Sequence, residues 1–185
     1  MIETILLAML VAKLKGYKLN PIFRSWEIYP ILFFAIFYVF LNAEVFLGKY
    51  NLIKYAGILE KVYFCTFFLL IIKYKQYVNA IFGSAAVIIG TVLNKIVISA
   101  NNGKMPVYPT LSYITGYIKP DTFLKVKDIH IIGSSISNLK LLTDYIDIGY
   151  SILSIGDLFI RAFVFIIIYG CIKSVIELKE KSLMN

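Results

Sequence analysis

Two aspartates near the start of the last apolar run, Asp144 and Asp157, could carry acid–base chemistry. Two carboxylates that share a proton allow one to act as a base toward water while the other acts as an acid. Such a pair predicts an aspartyl hydrolase if the two side chains converge near the membrane surface. The structural alternative is an ion pair, because Arg161 follows Asp157 by one helical turn and the two side chains can meet on one face.

A second group of polar residues lies where the fourth apolar run ends, in the segment NKIVISANNGKMP. Its Asn-Asn-Gly sequence tolerates left-handed backbone angles and the Met-Pro that follows resists continued helix, so this segment predicts a helix stop. Asn94 precedes that stop inside the apolar region, where uncompensated polar groups are costly and tend to mark sites. The segment therefore also suggests a polar ligand or partner pocket, whose candidate residues are Asn94, Asn101, Asn102, Lys104, His130 and Arg161.

His130 is the single histidine of the chain and could act as a general acid or base or simply be a polar surface residue. With no second histidine and no suitably spaced cysteine, a metal site is not expected. The sequence has no Walker loop, no dinucleotide glycine pattern, no Gly-x-Ser-x-Gly elbow and no His-Glu-x-x-His. No cofactor is predicted, and nucleotide and metalloprotease chemistry are disfavoured.

The amino-acid composition indicates that these residues are held in place by segments embedded in a membrane. Hydrophobic residues make up 59% of the 185 and charged residues 16%, against about 45–50% and about 25% in soluble domains. The net charge of +8 is dispersed between apolar runs, so membrane lipids rather than nucleic acid are the expected partner.

The apolar runs predict an all-α integral membrane protein with about five transmembrane helices. We place the spans at residues 2–14, 30–47, 62–72 with an extension back toward 53, 77–98 and 152–172. Residues 1–185 then form a single membrane domain, in which the connection 99–150 is a polar extracytoplasmic cap. Alternating residues in its segment TFLKVKDIHII permit short strands or an interfacial helix.

Orientation follows from the lysines and arginines of the connections, which concentrate on the cytoplasmic side of membranes. The first and third connections and the C-terminal tail, with Lys173, Lys179 and Lys181, carry this bias. We therefore predict a multi-pass protein of the cell membrane whose N-terminus lies outside and whose C-terminus is cytoplasmic.

The C-terminal half, roughly residues 90–172, resembles an uncharacterised family of small bacterial multi-pass membrane proteins known as a domain of unknown function. The resemblance implies membership and no activity. It rests on an Asn-x-Gly-x-Met-Pro and a Ser-Ile-Gly-Asp element, and its markers are Leu93, Asn94, the segment ANNGKMPV at 100–107, His130, Asp144 and Ser154 to Asp157.

A weaker similarity is to lipoprotein signal peptidase, a membrane aspartyl peptidase. Asn102-Gly103 looks like part of its Asn-x-Gly loop, the segment DYID at 144–147 is similar to its Asp-Phe-Ile-Asp segment, and Asp157 matches its second catalytic aspartate. The Gly-Asn-x-x-Asp-Arg element of that family is absent. The resemblance implies catalytic roles for Asp144 and Asp157.

Two functions follow. The first is a binding, transport or accessory subunit with a polar site at the outer membrane face, engaging a membrane-anchored peptide or a partner membrane protein. The alternative is a membrane-embedded aspartyl peptidase, so the sequence leaves open whether the protein is an enzyme.

Overall fold

A computed structural model of the chain describes residues 1–126 and 128–184, with side chains as far as residue 176. Helices predominate, as the long apolar runs predict. Short 3-10 turns occur at Trp26–Ile28, Ile53–Tyr55 and Lys140–Leu142. The α-helices are α1 (Ile2–Leu14), α2 (Asn20–Phe23), α3 (Tyr29–Phe46), α4 (Ala56–Lys73), α5 (Tyr77–Ala100), α6 (Leu111–Thr115), α7 (Thr122–Lys125) and α8 (Ile155–Met184).

Four helical stretches in the described residues are long and apolar enough to cross a membrane: Trp26–Phe46, Ile53–Lys73, Tyr77–Ala100 and Ile155–Ile176. The predicted all-α integral membrane protein is confirmed at this level. The first predicted span, Ile2–Leu14, is not among them: it is a helix of 13 residues, which is shorter than the roughly 17–25 residues that a span needs. The predicted orientation stays a prediction, and the side chains of Lys179 and Lys181 lie outside the described residues.

The chain divides into two compact units. The first comprises Met1–Val39, Gly57–Ala86 and the chain from Arg161 onward. Its core includes an aromatic cluster: the ring of Phe67 lies 5.1 Å from that of Tyr63 and 5.5 Å from that of Phe163, both edge to face. Because these three rings come from α4 and α8, they fix the two helices against each other.

The second unit comprises Phe40–Ala56 and Val87–Ile160. It contains the end of α5, the start of α8 and the connection between them. The predicted connection 99–150 corresponds to residues 101–154 in the structure, and from here on we call these residues the cap. The cap holds two small sheets. Strand β1 (Met105–Val107) pairs in parallel with β2 (His130–Ile132), and β3 (Ile146–Asp147) pairs antiparallel with β4 (Ile152–Leu153).

The segment TFLKVKDIHII, which permitted either strand or helix, forms both. It begins as α7 and ends as β2, whose residues His130 and Ile132 are in register with Met105 and Val107 of β1. Lys127, between them, lies outside the described residues. Because β1 follows α5 closely, this pairing brings His130 to the end of that spanning helix.

Helices α5 and α8 approach closely where both carry glycine. A Cβ atom added at Gly90 would overlap the carbonyl oxygen of Gly156, and one added at Gly156 would overlap the side-chain oxygen of Asn94. Small residues allow such backbone contact between helices in membranes. This crossing sets the spacing at which polar side chains of the two helices meet.

Candidate functional site

The start of α8 fixes the position of Asp157. Its backbone N–H donates to Ser154 Oγ at 3.0 Å, and its Oδ2 accepts from the backbone N–H of Ser154 at 2.9 Å. This reciprocal pair is a capping box with aspartate as the acid, and a negative charge in the first turn also suits the helix dipole. Asp157 is thus held by the helix that carries it.

Asn94 of α5 completes this arrangement. Its Nδ2 donates to Asp157 Oδ1 at 2.9 Å, and its Oδ1 accepts from Ser154 Oγ at 2.8 Å. The fully buried Ser154 therefore bonds to both residues. The polar Asn94 within an apolar run is thus explained by its hydrogen bonds to the N-terminus of α8.

The ion pair predicted between Asp157 and Arg161 is wrong. The Arg161 guanidinium, which belongs to the first unit, donates to Glu3 Oε2 at 3.1 Å. Asp157 instead directs Oδ2 back to the backbone N–H of Ser154 at the start of α8, one of the donors that a helix terminus leaves without an intrahelical partner. The hydrogen bonds of Asp157 and of Arg161 thus go to different partners.

His130 lies between two aspartates. Its Nδ1 is 2.7 Å from Asp128 Oδ2, and its backbone N–H donates to Asp128 Oδ1 at 2.9 Å. On the other side of the ring, Nε2 is 3.6 Å from Asp144 Oδ2. The protonated imidazole can thus form an ion pair with either carboxylate, and Asp128 orients it toward Asp144.

Asp144 is held against strand β1 by its backbone. Its N–H donates to the Pro106 carbonyl at 3.1 Å, and its own carbonyl accepts from the Tyr108 N–H at 2.8 Å. The residue is 5% exposed, and its Oδ1 has no hydrogen-bond partner within the described part of the chain. A buried carboxyl oxygen without a partner is costly, so this atom stands out in the site.

The charges of the cluster act on one another. Burial and then the charge of Asp157 raise the pKa of Asp144 to about 7, and His130 partly offsets them. Burial alone would lower the pKa of His130, but the bond and charge of Asp128, with the charges of Asp144 and Asp157, raise it. Burial opposes ionisation of Asp128, yet His130 prevails and lowers its pKa. Asp144 therefore titrates near pH 7, and the surrounding carboxylates favour the protonated form of His130.

The remaining predicted residues lie at the edge of this cluster. Asn102 and Gly103 adopt the left-handed backbone that the turn signal predicts. Asn101 bonds to the backbone of Asn138, accepting from its N–H at 2.9 Å and donating to its carbonyl at 3.1 Å. Lys104 Nζ donates to the Asp128 carbonyl at 3.2 Å. These residues shape the loop, and only Lys104 touches the His130 arrangement.

Asp147 has a structural role in the cap. Its carboxylate accepts hydrogen bonds from the Ser112 hydroxyl and from the backbone N–H groups of Thr110, Ser112 and Gly149, at 2.6–2.8 Å. These bonds lower the pKa of Asp147 although burial opposes them. Asp144, rather than Asp147, is the carboxyl with an oxygen that has no hydrogen-bond partner within the described residues.

Sequence reasoning assigned no site role to Asp128 or Asn138, and it named Ser154 only as a marker of the family resemblance. Two local signals could have found Asp128 and Ser154: an Asp-x-His spacing in an extended segment, and the Ser-x-x-Asp spacing of a capping box before an apolar run. No local signal identifies Asn138. Across the described residues, no group of three His, Cys, Asp or Glu side chains could hold a metal ion.

The comparisons with known proteins identify one family. A family model described as "Family of unknown function (DUF5317)" matches residues 20–169, which include the whole cluster. No curated protein and no solved structure matches the chain. The similarity to lipoprotein signal peptidase gains no support from them.

Proposed function

We propose that this chain, which belongs to the family of unknown function DUF5317, has a membrane-embedded binding function. In this function Asp144 receives a small organic cation in exchange for a proton. This is the first of the two functions that the sequence leaves open, a binding, transport or accessory subunit, with a ligand class added. The observation that carries it is the buried Asp144 Oδ1, which has no hydrogen-bond partner among the described residues.

The charge balance around Asp144 favours a cation. Asp128, Asp144 and Asp157 supply three carboxylates, against the His130 imidazole and the Lys104 ammonium at the edge. An ammonium group presents several N–H donors, so it can satisfy Oδ1 while compensating the buried charge. Asn94 and Ser154 hold Asp157 near enough for its charge to act on Asp144.

Binding is coupled to a proton because the pKa of Asp144 is about 7. A protonated Asp144 gives up its proton to solvent as the ammonium group binds, and the resulting carboxylate accepts the N–H bond. One charge enters and one leaves, so the net charge of the site is unchanged. A lysine side chain of a membrane-anchored peptide or of a partner membrane protein could present the same group.

The test uses the full-length protein in detergent with ethanolammonium or methylammonium as probes. Stabilisation by each probe is measured by thermal unfolding, and proton release is measured in weak buffer near pH 7. The wild type should show both. Asp144→Asn should show neither, whereas Asp121→Asn, at an exposed aspartate paired with Lys125, should behave as the wild type.

Equal stabilisation of the wild type and Asp144→Asn would disprove the assignment of this carboxyl. No stabilisation of the wild type by either ammonium probe would disprove the ligand class.

A second candidate function is an aspartyl hydrolase, and one observation favours it. The charge of Asp157 raises the pKa of Asp144, as in pairs of carboxylates that share acid and base roles. Against it, both oxygens of Asp157 accept hydrogen bonds that cap α8 and hold Asn94. A lipid-anchored peptide tests it. Cleavage by the wild type that is abolished in Asp144→Asn, in a variant that still unfolds cooperatively, would replace the binding proposal.

The outer location of the site is also a proposal. We treat the candidate span Ile155–Ile176 as crossing the membrane, which assigns the cap and the C-terminal tail to opposite membrane faces. With the lysine-bearing tail in the cytoplasm, the cap is extracytoplasmic. Labelling of Tyr145→Cys, at an exposed cap position outside residues 136–141 and α7, in intact cells by a membrane-impermeant maleimide tests this, and labelling only after lysis would reverse the orientation. The predicted outer N-terminus additionally requires α1 to cross.

A further inference from the structure

The cap exposes apolar side chains to an unusual degree for a segment outside the spanning helices. Ile136 is 87% exposed, Leu124 80% and Leu141 75%. The most exposed large apolar side chain of the four candidate spans, Ile81, reaches 69%. These three cap residues are therefore at least as uncovered as side chains that face lipid.

The loop that carries Ile136 and Leu141 is tied to the end of α5. Asn138, which lies between them, donates from Nδ2 to the carbonyl of Ala100 at 2.8 Å. It also forms two hydrogen bonds with the Asn101 side chain through its backbone. Because Ala100 is the last residue of a candidate span, this loop lies at the membrane surface rather than away from it.

The helix that carries Leu124 is tied to the end of α3 in the same way. Lys119 Nζ donates to the carbonyl of Phe46, the last residue of that candidate span, at 3.4 Å. Thr122, the first residue of α7, has its hydroxyl 3.1 Å from that of Tyr50. The loop at residues 136–141 and helix α7 are thus both hydrogen-bonded to the ends of candidate spans or to residues close to them.

Lysines stand directly beside these apolar residues. Lys125 follows Leu124, and Lys140 precedes Leu141. Apolar side chains flanked by long cationic ones suit the boundary between acyl chains and headgroups, where lysine can extend its ammonium to the phosphates. The partner with this chemistry at this position is the bilayer itself.

We propose that the cap inserts two tips into the headgroup and acyl boundary of the bilayer, one formed by residues 136–141 and the other by α7. The cap is then a membrane-seated layer, and ligands reach the site from the lipid interface. This inference depends on membrane insertion of the helices and is independent of the ammonium proposal.

A single-tryptophan experiment tests it, since Trp26 is the one tryptophan of the chain. In a Trp26→Phe background, tryptophan is placed singly at Ile136, Leu141 or Leu124, and at Ile81 as the lipid-facing reference. Each protein is reconstituted into phosphatidylcholine vesicles with or without brominated acyl chains. The exposed positions make each substitution compatible with folding, which thermal unfolding verifies.

We expect bromolipid quenching at Ile136 and Leu141 of at least about half that at Ile81, since interfacial insertion reaches about 5–10 Å. Iodide in the aqueous phase should quench these positions several-fold less than it quenches free N-acetyltryptophanamide. Bromolipid quenching no greater than that of N-acetyltryptophanamide at all three cap positions, with full iodide access, would overturn the inference. The outcome leaves ammonium binding untouched, so failure of one proposal is separable from failure of the other.

Discussion

The side chains of Asn94 and Asp157 meet across 63 positions of sequence, with Asn94 Nδ2 2.9 Å from Asp157 Oδ1. The contact joins the last turns of one spanning helix to the first turn of another. Both oxygens of Asp157 accept hydrogen bonds, whereas Asp144 Oδ1 has no hydrogen-bond partner within the described residues. The two carboxylates therefore differ in role: Asp157 is structural, and Asp144 is the proposed binding group. Most of the predictions below depend on this difference or on the helix crossing that permits it.

Replacing Asn94 by alanine should destabilise the protein by about 1–3 kcal/mol, because the partners of a buried hydrogen-bonding group are left unsatisfied. Asp157 Oδ1 loses its donor and the Ser154 hydroxyl loses its acceptor. Chemical or thermal unfolding in detergent measures the change. Asn51→Ala, at an exposed position, is the matched control and should change stability by less than about 0.5 kcal/mol. Equal effects of the two variants would contradict the role of Asn94.

Two glycine-to-alanine substitutions should act in opposite directions. At Gly156 the new methyl group would overlap Asn94 Oδ1 and the Gly90 carbonyl, and we expect a loss of about 1–3 kcal/mol from overpacking. At Gly57, inside α4, a Cβ meets nothing within 4 Å, so alanine should gain up to about 1 kcal/mol from helix propensity. Melting temperatures of the two variants measure the contrast, which a stable Gly156→Ala protein would refute.

Stability should decrease as the pH rises from about 5 to 8. The folded pKa of Asp144, about 7, lies above its ordinary 3.8, so folding favours the protonated form and a penalty develops across that interval. The raised pKa of His130 adds stability below 6.5 that is lost as the pH rises through its folded value. Asp128, whose pKa is lowered, contributes only above its ordinary 3.8 and loses that contribution in acid.

At about 1.4 kcal/mol per pKa unit, the penalty at Asp144 grows between the ordinary pKa of 3.8 and the folded pKa of about 7 to on the order of 4 kcal/mol at most. Asp144→Asn, which cannot ionise, should therefore melt higher than the wild type at pH 8 and show a shallower pH dependence between 5 and 8. Asp121→Asn, at an exposed position paired with Lys125, should retain the wild-type slope. A slope that survives in Asp144→Asn would place the titration elsewhere.

Arg161→Met should destabilise the first unit by about 1–3 kcal/mol, because it leaves the Glu3 carboxylate partly buried without its guanidinium partner. The Lys49 and Glu44 pair provides the comparison: its Nζ to Oε1 distance is 3.6 Å and the lysine side chain is 62% exposed. Lys49→Met should change stability by less than about 0.5 kcal/mol. Double-mutant analysis of Arg161→Met with Glu3→Gln should give non-additive losses, and additivity would refute the pairing.

The sequence predicted the membrane class and the turn at Asn102 and Gly103, since apolar length and left-handed backbone preference are local properties. It also directed attention to Asn94, because a polar residue in an apolar run needs a partner. It could not identify that partner. Ser154 and Asp157 become neighbours of Asn94 only through the glycine crossing of two helices, which no local pattern encodes.

The mistaken Asp157 and Arg161 pair has a physical origin. A spacing of one helical turn makes contact possible, but the first turn of a helix also offers unpaired N–H groups that attract an acidic side chain. Asp157 accepts from one of them, the N–H of Ser154. Arg161 then reaches Glu3, a residue from the opposite end of the sequence whose proximity depends on tertiary packing.

The long separation between Asn94 and Asp157 has a consequence for biosynthesis. At about 5–20 residues per second, the ribosome makes Asp157 roughly 3–13 seconds after Asn94. During that interval the newly inserted α5 carries a polar side chain whose eventual partners do not yet exist. The nascent protein is therefore most vulnerable to quality-control proteases before its last helix enters the membrane, and a chain truncated before Asp157 should be degraded faster than the full chain.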